Sequence, residues 1–306
     1  AEPPAGRRDD AIRGLLLLAE DPIGAVREAA FESLGALGAI EATSLLLARL
    51  DDSHPGARQA ALLAVGRISP ERGAEAATAL LEDSRPEMRF ASIWTLSALG
   101  PEHAAQIARG LDDPDAEVRL LASQCLGDLN AAHYADAIAG LLDDAVDAVR
   151  FGAAASLAAL GDARGAPTLR ASLKRPERAL PAAIGLGDLA DRESHQELTR
   201  LAKHPWRSPI LRAAAARALV RLGDPAGAAV IKRLVRSWRI EARQYAVELV
   251  GELELTSLVP DVLRSLKRSR RAEHPVYEAA LERLAPRSRE AAALLASIRD
   301  ANHPVK

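Results

Sequence analysis

An arginine returns down this chain at Arg27, Arg58, Arg89, Arg119, Arg150, Arg212 and Arg243, in steps of 31, 31, 30, 31, 62 and 31 residues. A unit of that length is too short to bury an apolar face on its own and must stack against its neighbours. The ladder therefore predicts an all-α solenoid of stacked repeats.

Each arginine sits in the same phrase. Asp21-Pro22-Ile23-Gly24-Ala25-Val26-Arg27-Glu28-Ala29-Ala30 is followed by Leu34 and Leu37-Gly38; it returns as Asp113-Pro114-Asp115-Ala116-Glu117-Val118-Arg119, then Ala122, Leu126 and Leu129. The apolar positions lie one before the arginine and three, seven and ten after it, which places them on one helical face. An acidic or Pro-containing turn opens this helix, helix B, and Gly38, Gly100, Gly161 and Gly223 stand where a left-handed C-cap would close it. A second apolar-periodic stretch, helix A, precedes each phrase, as in Ala42 to Leu50, Ala74 to Leu81, Ala104 to Leu111 and Ala135 to Leu142.

The pattern Asp-Pro-x-x-x-Val-Arg-x-x-Ala-x-x-x-Leu-x-x-Leu-Gly resembles the short HEAT-like repeat of phycobilisome bilin lyases and of many bacterial scaffold proteins. The resemblance covers roughly residues 10 to 285. It implies a right-handed superhelix with helix B on the concave face; it does not select a function, because one solenoid hosts lyases, hydroxylases, DNA glycosylases and adaptors. With 306 residues, the chain accommodates about nine helix pairs of about 31 residues, a closing helix over 287–300 and a disordered tail over 1–10. Aromatics make up only 3%, consistent with close helix contacts built from Ala and Leu.

The net charge of −2 conceals a polarity: residues 1–160 carry 13 Arg/Lys against 25 Asp/Glu, and 161–306 carry 27 against 17. The acidic turns Asp51-Asp52, Glu82-Asp83, Asp112-Asp113 and Asp143-Asp144 give way to Lys174-Arg175, Lys203-His204, Arg236-Ser237 and Lys267-Arg268-Ser269-Arg270-Arg271. The ladder breaks at the change: Ala179 takes the arginine position and Pro181 falls in the first turns of helix B, where it kinks or delays the helix. An irregular joint is expected over 174–209, between an acidic and a basic half.

Acidic residues in each turn suggest that the ladder arginines are structural, bridging Asp to Arg between adjacent repeats. Positions one and five after each arginine fall off the buried face, so a ligand site is expected there. Reading them along the chain places Phe90, Trp94, Leu120, Gln124 and Phe151 together as an apolar patch with one polar contact. Two of the chain's three Phe lie in it, a clustering that solenoid packing does not require. An exposed apolar side chain or amphipathic helix from a protein partner suits such a patch; an alternative facing would make the same residues core.

The alternative reading is nucleic-acid or polyanion binding through Lys203, Trp206, Arg207, Arg236, Trp238, Arg239, Lys267, Arg268, Arg270 and Arg271. The two Trp-Arg pairs recur 32 residues apart, offering cations to phosphates and rings to bases. A third reading, a bilin-lyase-like enzyme, rests on the repeat alone. Deoxyhypusine hydroxylases are also HEAT-like, but their iron-binding His-Glu dipeptides do not occur in this sequence. The seven His show no His-x-x-x-His spacing, and no Gly-rich phosphate loop or nucleophile elbow appears, so neither a metal nor a cofactor is expected. Cys125 is the only cysteine, which excludes an internal disulfide, and its place on helix B suggests an inert core thiol. No apolar run reaches the ~20 residues of a membrane span. The chain starts at Ala1 without Met, as either a processed terminus or a trimmed chain would, and cytoplasmic location is the default expectation. The combined expectation is a non-catalytic scaffold that holds a protein segment in its groove.

Overall fold

The computed structural model describes residues 5–270 and 273–302, and the helices gather into two compact units, one up to Leu160 and one from Gly161 onward. The first unit contains α1 (Ala5–Leu18), α2 (Gly24–Leu37), α3 (Thr43–Ala48), α4 (Pro55–Ile68), α5 (Pro70–Ala79), α6 (Pro86–Leu99), α7 (Ala104–Ala108), α8 (Ala116–Asp128), α9 (Ala135–Gly140) and α10 (Asp147–Ala159). The second contains α11 (Ala166–Ser172), α12 (Ala179–Asp188), α13 (His195–Lys203), α14 (Pro209–Arg221), α15 (Pro225–Val235), α16 (Ile240–Glu252), α17 (Val259–Leu266), α18 (His274–Leu284) and α19 (Arg289–Asn302). Even-numbered helices are the expected B helices and odd-numbered ones the A helices, so the described residues form nine pairs and a closing α19, with no strand among them.

Two details differ from expectation, and a third, the delayed start of the helix that carries Pro181, agrees with it. Residues 5–10 are the opening turns of α1, not a tail; Arg8 Nη2 donates to the Leu37 carbonyl at 2.7 Å and ties α1 to the C-terminal end of α2. Residues 1–4 lie outside the described set. The division between the units falls at 160, ahead of the 174–209 segment expected as the joint. Within that segment α12 begins at Ala179 itself, whereas the ladder helix α6 begins at Pro86, upstream of Arg89. Pro181 thus occupies a first turn, where a missing N–H costs no helical hydrogen bond.

Side-chain size sets the spacing of successive B helices. A Cβ on Gly35 would approach the Ala64 Cα to 2.9 Å, and one on Gly251 would approach the Ala280 Cα to 2.7 Å. Helix backbones pack this closely only over Gly, Ala and Ser, which accounts for the shortage of aromatics in the core. Phe31, Leu34, Leu46 and Val65 fill the core between the early pairs, and Met88, Ile93, Leu96, Ile107, Leu126 and Ile138 fill it further along the first unit. Cys125 lies in this core, and burial pushes its thiol pKa up.

The C-caps depart from glycine at several repeats. Gly38 has φ 61°, and its N–H and that of Ala39 donate to Gly35 and Leu34 carbonyls in a Schellman pattern. Gly100 has φ 139° and ψ 176°, a glycine conformation other than the expected left-handed one. Asn130, Ala190 and Glu254 adopt the left-handed conformation without glycine, at φ 53°, 50° and 52°. The closing hydrogen bond persists there, as in Asp191 N–H to the Leu186 carbonyl at 3.0 Å.

Candidate functional site

The ladder arginines join neighbouring repeats through a repeated geometry. Arg27 Nε and Nη2 donate to Asp52 at 2.7 and 2.5 Å, Arg89 to Asp113 at 2.7 and 2.7 Å, and Arg119 to Asp144 at 2.7 and 3.0 Å. The remaining nitrogen, Nη1, donates to carbonyls of the arginine's own turn, such as Asp83 for Arg89 and Asp113 for Arg119. Each aspartate also accepts the N–H two residues onward: His54 at Asp52, Asp115 at Asp113 and Val146 at Asp144, all at 2.8 Å. The Arg27 and Arg119 guanidinium groups hold Asp52 and Asp144 below the usual carboxylate range. At Asp113 burial pushes the pKa up, but Arg89 and the Asp115 amide outweigh it and the net shift is downward.

Where the partner aspartate is missing or held by another arginine, the pattern changes. Arg58 reaches Glu87 at 2.6 Å, because Asp83 is engaged by Arg85. Arg150 bonds Asp147 on its own helix at 3.0 Å, and Arg243 bonds Glu273 at 2.6 Å. Arg212 donates to the Ala202 carbonyl at 3.3 Å, with Ser237 in the place of the aspartate; burial and the nearby Arg233 push its pKa down.

The expected patch lies on the first unit. Phe90 and Trp94 stand on α6, Leu120 and Gln124 on α8, and Phe151 on α10. None is core: Trp94 is 52% exposed, Gln124 is exposed, and Phe90, Leu120 and Phe151 are half-buried. Phe90 and Leu120 rest on the core from outside, and a Cβ on Gly152 would meet Leu120 Cδ1, so Leu120 lies over α10 beside Phe151. A cavity of about 410 Å³, lined by Glu32, Leu63, Ala36, Ala60, Ala64 and Arg67, opens between α2 and α4. Glu32 and Leu63 hold the helical position that Trp94 holds on α6, so cavity and patch share one column of positions; sequence periodicity gave the column but not the space.

On the second unit the basic residues are less free than their sequence suggests. Trp206 and Trp238 are 90% and 83% exposed, and the Arg239 guanidinium lies 5.4 Å from the Trp238 ring centre. Lys203, Lys267, Arg268 and Arg270 are exposed, Arg207 is half-buried, and Arg271 lies outside the described residues. Arg236, by contrast, pairs with Asp261 at 2.5 Å, and Asp261, only 2% exposed, also takes Arg264 at 2.9 Å and Lys232 at 3.7 Å. At the position equivalent to Trp94, Arg217 is drawn into a network with Asp188 at 2.9 Å and Glu252 at 2.7 Å, joining α12, α14 and α16. No cluster of three or more His, Cys, Asp or Glu suited to a metal occurs among the described residues.

No helix of the described residues is long and apolar enough to cross a membrane. The HEAT-repeat family pattern matches residues 43–111 and 105–184, and the PBS lyase HEAT-like repeat pattern matches 211–237. Comparison with curated proteins finds no match. Among solved structures, the complex of CpcE and CpcF of phycocyanin lyase from Nostoc sp. PCC7120 is similar at 20% identity and a TM-score of 0.55, over 73% of this chain and 94% of that one. The Escherichia coli protein YibA is similar at 20% identity and a TM-score of 0.53, over 69% of this chain and 81% of that one. At such identity the likeness is one of fold. Helix pairs, arginine ladder and family patterns agree that the chain belongs to the HEAT-repeat proteins, with repeats of the short type named for the PBS lyases.

Proposed function

We propose that the chain is an interaction scaffold whose first unit holds a protein segment against Phe90, Trp94, Leu120, Gln124 and Phe151. One observation carries the reading: large apolar side chains occupy the same outward positions on successive B helices and stay partly exposed, with Trp94 half in solvent. Partly exposed indole and phenyl groups of this kind are typical anchors of an interface. The segment best suited is an amphipathic helix with apolar residues at helical spacing and basic flanks, since residues 1–160 carry a net −12 (13 minus 25). The similar CpcE–CpcF structure is itself a complex of two proteins, which supports a protein partner. Its lyase chemistry is not carried across by a shared fold.

The test is a photo-cross-linking residue placed at Leu63, beside the patch, in the wild type and in Phe90→Ala/Trp94→Ala. A partner cross-linked in the wild type and lost in the folded double variant is the expected result. Truncating a fully buried aromatic costs about 3 to 5 kcal/mol, and these half-exposed side chains should cost about half as much each or less. Equal cross-linking in both proteins would remove the patch from the interface.

A further inference from the structure

The second unit contains a cleft that the scaffold reading does not use. It has a volume of about 430 Å³ and is lined by Arg236, Arg243, Arg264, Arg268, Ser237, Ser265, Trp238 and Val235. That volume is within the range of small-ligand sites. Trp238 also walls a neighbouring cavity of about 570 Å³, lined by Ser208, Ile210, Arg239 and Ile240.

The charge balance of the cleft is uneven. Four arginines line it, and the carboxylates bonded to them are Asp261, shared by Arg236 and Arg264, and Glu273, held by Arg243. The Arg268 side chain has no hydrogen-bond or ion-pair partner among the described residues, only its backbone N–H being bonded, to Ser265. Its position is informative: it follows Arg243 by 25 residues (268 minus 243), the separation at which Asp52 follows Arg27 and Asp144 follows Arg119. The ladder thus has a cation where Arg27 and Arg119 have a carboxylate; Arg175 stands likewise 25 residues after Arg150, but Arg268 is the one that lines a cleft with Arg243. Glu273 compensates from farther along the chain, but it reaches Arg243 through Nη2 alone and leaves the buried Nε without a partner among the described residues. At Arg27, Arg89 and Arg119 that same Nε is bonded to aspartate.

We infer that this cleft binds a nucleotide unit, with the phosphate among Arg243, Arg264 and Arg268, in the carboxylate's place, and the base against the exposed Trp238. A phosphate satisfies forked guanidinium donors as a carboxylate does. An exposed indole beside surplus arginines adds a stacking surface that inorganic phosphate cannot use. A free nucleotide and a single-stranded nucleic acid present the same unit. The proposal is independent of the groove on the first unit.

Calorimetry at low salt with adenosine monophosphate and with inorganic phosphate tests it on the full chain. The nucleotide is expected to bind the tighter by about tenfold, and Trp238→Ala to erase that difference. Arg268→Asp, which restores the ladder's carboxylate, should weaken both ligands by about tenfold or more; Arg200→Asp, the same charge change on exposed α13, should leave both near wild type. Anisotropy with a labelled short oligothymidylate identifies the source. Binding tighter than the monophosphate and weakened by Trp206→Ala points to a strand, and binding no tighter points to a free nucleotide. The proposal is overturned if the wild type binds neither nucleotide nor oligonucleotide. It is equally overturned if Arg268→Asp and Arg200→Asp weaken binding alike, because the effect is then bulk charge.

Discussion

Removing the Asp113 carboxylate should expose how much one rung of the ladder contributes. Asp113→Ala deletes two bonds from Arg89, both of 2.7 Å, and the turn bond from the Asp115 amide at 2.8 Å. The side chains of Arg89 and Asp113 are only 11% and 7% exposed, so the guanidinium is left nearly buried without its counter-charge. Breaking a buried pair from one side costs about 3 to 5 kcal/mol. Arg89 keeps its bonds to the Asp83 and Ser84 carbonyls, at 2.9 and 3.3 Å, which favours the low end, about 3 kcal/mol. Arg89→Ala should cost about the same or slightly more, since it orphans the carboxylate and those carbonyls together. The double variant should fall short of the sum by about 3 kcal/mol, because the second change removes a group already unpaired. Urea unfolding followed by Trp94 fluorescence, in a Trp206→Phe/Trp238→Phe background, reads the first unit alone and avoids treating the whole array as two-state. Single costs below about 1 kcal/mol, or additivity within about 0.5 kcal/mol, would refute the rung as a coupled ion pair.

Two further outcomes follow from the same geometry. Asp52, Asp113 and Asp144 have pKa values below their unfolded value of about 3.9, so their stabilisation is complete above that pH and is lost as pH falls through the lower folded values. The urea midpoint of the first unit should therefore hold between pH 7 and 5 and drop steeply below about pH 4; a midpoint unchanged from pH 5 to 3 would contradict it. Ala190→Gly relieves a left-handed alanine at φ 50° and should stabilise the second unit by about 1 kcal/mol in thermal or urea melts, whereas a loss of stability would show that the cap carries no strain.

Sequence periodicity was sufficient for the helix pairs and for the outward facing of Phe90, Trp94 and Leu120, because a residue's angular position on a helix follows from its number alone. It also anticipated the Arg27–Asp52, Arg89–Asp113 and Arg119–Asp144 bridges, each formed by residues that recur with the repeat. Asp261 is not legible in the periodicity, since it belongs to the A helix α17 and gathers Lys232 from α15, Arg236 from the cap of α15 and Arg264 from its own helix. The Arg217 network is not legible in the sequence, because its partners Asp188 and Glu252 sit on the flanking helices, 29 and 35 residues away, where a chance acid is indistinguishable from a bonded one. The left-handed Ala190 and Glu254 were invisible for a simpler reason: the cap is demanded by the repeat, and nothing in those residue types announces it.

The ladder aspartate has one further consequence for how the array holds together. In Asp52, Asp113 and Asp144 a single carboxylate both shapes its own turn and grips the arginine of the preceding repeat. A turn that opens therefore releases its neighbour, and a neighbour that undocks loosens the turn, so local fluctuation and separation of repeats become one event in that part of the chain. At Ser237 the hydroxyl keeps the Arg239 amide at 3.2 Å but has no charge to offer Arg212. There, turn and docking are uncoupled, and one repeat can breathe without disturbing the one before it.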